Sequence, residues 1–171
     1  MTDLTGNGSE GGATAQGGGA LTINTQYIKD LSFENPNMLR FMSQPPSAAT
    51  QPEVSFNLNV QANAVAPDAY EVVLSVRAEA KREALVMFIV ELAYAGVFTV
   101  TGIPQAQLEP ILFIDAPTLL FPFARAVVAD VTKDGGAMPL MLPLINFIDL
   151  YRRRVAERQA DAAQMPSGMP N

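Results

Sequence analysis

The chain has 171 residues with no cysteine and no histidine, and its 11 basic against 17 acidic residues give a net charge of −6. These counts exclude disulfides, thiolate metal sites, thiol nucleophiles and histidine acid–base chemistry, and they exclude nucleic-acid binding through a general basic field. The length predicts one domain that buries about 70% of its unfolded surface and needs no covalent staple.

Met1 to Ala20 is rich in glycine and has no large apolar residue after Leu4. It buries too little to offset its ordering entropy, so residues 1–20 are expected to be a disordered extension. They lack a basic start followed by an apolar run, so no secretory signal is expected and a cytoplasmic location is the default.

Leu21 to Glu34 reads as a first strand, with Ile23, Tyr27, Leu31 and Phe33 on one face and Asn24, Gln26, Asp30, Ser32 and Glu34 on the other. Asp30 and Glu34 then lie roughly 13 Å apart, at about 3.3 Å per residue, too far to act on one scissile bond. They suit either a docking surface or a plain solvated face. Asn35-Pro36-Asn37 ends the strand. Met38 to Pro52 is expected to be a long connection whose apolar start, Met38, Leu39, Phe41 and Met42, folds onto apolar surface or lines a groove.

Glu53 to Gln61 alternates with Val54, Phe56, Leu58 and Val60 inward; Ala66-Pro67-Asp68 is a turn; Ala69 to Ala80 alternates with Tyr70, Val72, Leu74 and Val76 inward. After a short connection near Lys81-Arg82-Glu83 comes the run Ala84–Ile103, whose one charge is Glu91. About twenty apolar residues suffice to cross a bilayer. Here a central carboxylate would cost about 2.5–3.5 kcal/mol on insertion, Gly96 and Gly102 break the run, and β-branched and aromatic residues favour a strand. Its even positions, Val86 to Val100, form a buried face. Its odd positions, among them Leu85, Met87, Ile89, Glu91, Ala93 and Ala95, form a face that carries an acid beside apolar groups. The alternative is a strand covered on both sides with Glu91 paired to an arginine.

The period then changes. Gln105 to Ile114 is expected to be a short helix, Asp115 to cap the next, and Leu119 to Val131 to be a helix in which Pro122 makes a kink or marks the first turn. Lys133-Asp134-Gly135-Gly136 stops it. Ala137 to Leu144 is an apolar loop, unusual because loops run over the surface. Asn146 with Asp149 resembles a capping box, and the last helix runs to about Gln159, before a tail, 161–171, expected to be disordered. Together these predict an α+β domain over 21–160: a four-stranded antiparallel sheet with C-terminal helices packed on one side. Exposed apolar surface in two loops points to a binding or oligomer surface.

Several segments resemble the SecB family of protein-export chaperones: DLSFENPN (30–37), QPEV (51–54), YEVVL (70–74), GVFTVTGI (96–103), LLFPFAR (119–125) and the apolar segment ending in Asn146-Phe147. The resemblance implies a cytosolic homotetramer, a dimer of dimers, that holds unfolded precursor proteins and delivers them to the ATPase SecA. It implies SecA contacts at Asp30, Glu34, Ile89 and Glu91, the face that alternation isolates, and client contacts at Phe41, Met42, Met138, Leu140 and Leu142. The small apolar side of the Leu119–Val131 helix, Leu120, Ala124, Val127 and Val128, is expected at a subunit interface. No cofactor, metal, nucleic acid or membrane insertion is implied. No catalytic set is assembled from the carboxylates, lysines or Tyr27, Tyr70, Tyr94 and Tyr151, so no enzymatic activity is expected. The alternatives are a SecB-like chaperone for another client, such as an antitoxin, and an oligomeric scaffold whose apolar loops are buried at subunit contacts.

Overall fold

Alternating apolar and polar residues produce four long strands, β1 (Ala20–Glu34), β2 (Glu53–Ala66), β3 (Ala69–Arg82) and β4 (Leu85–Thr101), in one antiparallel sheet of order β1-β4-β3-β2. The computed structural model describes residues 19–43 and 52–164; most of the 1–20 extension and the tail beyond Gln164 lie outside them. The turns between β2 and β3 and between β3 and β4 place Asp68 and Glu83 in the left-handed region, each with φ 56°. β1 and β2 occupy opposite edges, with Glu34 and Glu53 at the same end of the sheet. The apolar start of the connection after β1, expected to fold onto apolar surface or line a groove, is a short helix, α1 (Met38–Ser43), which buries Phe41 beneath the Arg82 guanidinium, 5.1 Å from its ring centre.

The register identifies the inner face. Val90, Leu92, Tyr94, Phe98 and Val100 of β4 are buried; the first four pair with Ala78, Val76, Leu74 and Tyr70 on β3, and all five pair with β1 residues between Leu21 and Phe33. In β1 the strict alternation fails twice. Asn24 and Lys29 are left out of the pairing, and each bulge reverses the face of the residues after it. Gln26 and Ile28 therefore point inward and Tyr27 outward, opposite to the expectation, while Leu31 and Phe33 return to phase. A similar irregularity at Met87 turns Val86 away from the inner face.

The expected pair of C-terminal helices is one continuous helical run, Gln105–Asp134. It comprises α2 (Gln105–Pro110), a π turn (Ile111–Asp115) and α3 (Ala116–Asp134). Asp115 has helical dihedrals and makes no capping bond, so it does not start a new helix. Pro117 has no N–H to return to the preceding turn, and the wider π turn carries the chain past it. The run is apolar and long enough to cross a bilayer, but its apolar face is used against the sheet.

That packing corrects the interface expectation. Leu120, Ala124 and Val128 are each 0% exposed in the protomer and belong to its own core, with Val127 half-buried beside them. The cause lies in β4: a Cβ at Gly96 would stand 2.7 Å from Leu120 Cδ2, so the glycine leaves the notch that Leu120 fills. Leu119 and Phe123, beside that core face, are exposed.

Asn146 caps α4 (Phe147–Gln164) as expected. Its Oδ1 accepts from the N–H groups of Ile148 at 3.1 Å and Asp149 at 3.3 Å, and its Nδ2 donates to Asp149 Oδ2 at 2.7 Å. The helix continues through Asp161–Gln164, residues expected to belong to a disordered tail. Arg154 anchors it by donating to the Val60 carbonyl on β2 at 2.8 Å, with its guanidinium 4.3 Å from the Phe113 ring centre.

Candidate functional site

Among the described residues no helix of the 105–134 run packs on the outer face of the sheet, which carries the first set of candidates. Register places Asp30 opposite Ala93, Ser32 opposite Glu91 and Glu34 opposite Ile89. Asp30, Glu34, Ile89 and Glu91 therefore share one surface on neighbouring strands, as expected. Asp30 and Glu34 are exposed and make no ion pair among the described residues. Glu91 differs: it is exposed and also paired with Arg77, its direct cross-strand neighbour on β3. The face is open, as the first reading has it, and the arginine partner of the alternative is present too.

The same face holds a cluster that strict alternation hid. Because the Asn24 bulge turns Tyr27 outward, Tyr27 and Lys29 both reach Glu71 on β3, Lys29 Nζ standing 2.7 Å from Glu71 Oε2. Tyr27 crosses β4 at Ala95, and Ala95 and Val73 on that row are buried although they belong to the solvent side. Hydrogen bonds from Lys29 and then Tyr27 pull the Glu71 carboxyl below its ordinary pKa, and the bond to Glu71 raises both partners.

The second set of candidates is apolar. α1 and the loop after α3 meet at Gly135 and Gly136: Asn35 Nδ2 donates to the Gly135 carbonyl at 2.8 Å, and a Cβ on Gly136 would lie 3.0 Å from Met38 Cε. The two segments singled out by composition are thus neighbours in space. Their side chains divide. Met42 and Met138 are exposed, the latter at 87%, and so are Leu39, Met141 and Leu144. Leu140 is half-buried, with its N–H bonded to Thr132 Oγ1 at 2.9 Å. Phe41 is buried and Leu142 is only 1% exposed, so in the protomer both support the loops from below and present little surface. Thr132, fully buried, ties α3 to this loop by also donating to the Val128 carbonyl at 2.9 Å.

A cleft of about 550 Å³ lies between β2 and α4, lined among others by Asn57, Asn59, Val60, Phe113, Tyr151 and Arg154. Sequence reasoning missed it because it depends on how α4 docks on β2. The third exposed apolar region lies on the helix side of the sheet. Ile23, Ile28 and Leu31 on the edge strand β1 face the same side as α3, and with Leu119 and Phe123 of that helix they are exposed among the described residues.

Against known proteins, a family model described as preprotein translocase subunit SecB matches residues 14–158. The protein-export protein SecB of Afipia carboxidovorans is 46% identical over 164 residues, covering 96% of this chain and 97% of that protein. That of Nitrobacter winogradskyi is 49% identical over 150 residues, covering 86% of this chain and 90% of that protein. Among solved structures, a Mycobacterium tuberculosis SecB-like chaperone in complex with an antitoxin peptide shares the fold, with a TM-score of 0.58 at 15% identity, over 73% of this chain and 90% of that one.

Proposed function

The chain belongs to the SecB family of protein-export chaperones, and from that premise we propose how its surfaces divide the work of holding a precursor and handing it on. Unfolded precursor proteins are held, in the cytosol, on the apolar surface where α1 meets the loop after α3. The observation that carries this is the gathering of Leu39, Met42, Met138, Met141 and Leu144, all exposed, on two segments joined at Gly135 and Gly136. Methionine is unbranched and polarisable, so such a surface adapts to many client side chains and selects for exposed apolar chain, not for one sequence. No covalent step is involved.

The outer sheet face serves as the SecA docking surface through Asp30, Glu34, Ile89 and Glu91. It stands on the side of the sheet away from the helices, so a holdase can be engaged there while a client occupies the apolar surface. Its exposed carboxylates act mainly on encounter rate and partner choice.

The working species is a homotetramer, a dimer of dimers. A long edge strand with apolar side chains is an aggregation hazard unless it is covered, and β1 with Ile23, Ile28 and Leu31 is such an edge. Covering it together with Leu119 and Phe123 of α3 gives a second copy a continuous apolar surface to bury.

The test is sizing by light scattering with and without a urea-unfolded precursor. The expected results are a tetramer alone and a stable tetramer–precursor complex, with no complex when the same precursor is folded first. A compact monomer at micromolar concentration, or equal binding of folded and unfolded precursor, would contradict the proposal.

A further inference from the structure

We propose that Arg77 is a built-in competitor for Glu91: it occupies the carboxylate that a cationic docking partner needs, and yields it by transferring to Glu79. The inference rests on the reading of the outer sheet face as the SecA docking surface. Arg77 lies directly opposite Glu91 in the β3–β4 register and is ion-paired with it. On its own strand it also lies 3.9 Å from Glu79 Oε2. Arg77 and Glu91 are 50% and 48% exposed, so their pair is reachable by an incoming charge.

The charges on this face are unequally committed. Glu71 is held by Lys29, and Glu79 by Lys81 at 2.7 Å as well as by Arg77. Asp30 and Glu34, on β1, have no ion pair among the described residues. A cationic surface therefore meets free carboxylates on β1 first and reaches Glu91 only by exchanging one exposed ion pair for another. The exchange is easy because Arg77 keeps an anion: it swings from Glu91 across the strands to Glu79 along its own strand. An exposed pair of this kind contributes little to stability, but two carboxylates competing for one guanidinium set how strongly the partner must be charged. Arg77 thereby biases the face against weakly basic proteins and leaves it open to a partner with several cations.

The test compares SecA affinity for the tetramer carrying Arg77→Gln, Arg77→Lys, Lys81→Gln or Glu91→Lys, with far-UV circular dichroism and tetramer mass as controls on folding. Arg77→Gln should bind about two- to five-fold more tightly at low salt, the range one exposed ion pair supports. The gain should vanish near 1 M salt, where the screening length is about 3 Å. Arg77→Lys should stay near the parent. Lys81→Gln removes the same charge from the same face but leaves Arg77 in place, shared between Glu79 and Glu91, and should tighten binding less than Arg77→Gln. Equal tightening in the Lys81 and Arg77 variants would reduce the effect to net charge and overturn the proposal. So would unchanged or weaker binding by Arg77→Gln while Glu91→Lys still weakens binding. If Glu91→Lys leaves SecA affinity unaltered, the docking surface itself has been misassigned, and the role of Arg77 falls with it.

Discussion

Replacing Leu120 by alanine separates the core face of α3 from its free face. Leu120 is wholly buried against Gly96, and the sheet backbone behind that glycine has no side chain with which to close a gap. Truncation removes three carbons, about 2.5 kcal/mol of transfer free energy at about 0.8 kcal/mol each. The unfilled cavity adds to this and brings the expected loss to about 3–4 kcal/mol. Urea unfolding followed by far-UV circular dichroism, at one fixed protein concentration because association contributes to stability, should show a midpoint lower by about 1 M or more with little change in slope. Phe123→Ala, at a side chain 48% exposed on the flank of the same helix, should cost under about 1 kcal/mol in the protomer. A Leu120→Ala variant that unfolds at the parent midpoint but sizes as a smaller species would show that this face of α3 joins subunits after all.

Three further outcomes follow from the same geometry. Charged replacement at the exposed Leu119 and Phe123, Leu119→Glu with Phe123→Glu, should dissociate the proposed tetramer in sedimentation while the separated chains keep their far-UV spectrum. Polar replacement of Met138, Met141 and Leu144, all exposed, should weaken holding of an unfolded precursor at least ten-fold, about 1.4 kcal/mol, and leave the unfolding midpoint within about 0.5 kcal/mol of the parent. Acid stability should depend on Glu71. Its carboxyl is held below its ordinary pKa in the fold, chiefly by Lys29 and then by Tyr27, so its contribution is complete above the unfolded value of about 4.3 and is lost as pH falls through the folded value. Glu71→Gln should remove that part of the acid limb in a urea-midpoint series from pH 7 to pH 3.

Much of this was legible from local pattern alone. The strict alternation of Val54 to Val60 and of Tyr70 to Val76 gave β2 and β3 their inner faces. Asn146 and Asp149 announced the start of α4, because a cap uses atoms within one turn. That Asp30, Glu34, Ile89 and Glu91 share one side of the sheet was also legible: no bulge falls between Asp30 and Glu34, nor between Ile89 and Glu91. What depended on long-range registration was not visible. The bulges at Asn24 and Lys29 have no signature of their own in the sequence, and the first of them carried Tyr27 to the opposite face. Arg77 could be assigned to Glu91 only once β3 and β4 were aligned. The small apolar side of α3 was read as a subunit contact because small residues suit close packing; they suit the protomer's own sheet equally well, and Gly96 decides the matter. Leu142 and Phe41 shared the apolar composition of their loops, but composition does not tell which side chains of an apolar loop face inward.

The central claim is that client holding and SecA docking use different surfaces of one protein. Its most direct measurement is a pair of affinities taken on one variant, Glu91→Lys, for SecA and for an unfolded precursor, with the tetramer mass checked on the same sample. Loss of SecA binding beside unchanged precursor affinity and unchanged mass is the result expected. Loss of precursor holding in that variant, or SecA affinity equal to the parent's, would contradict it.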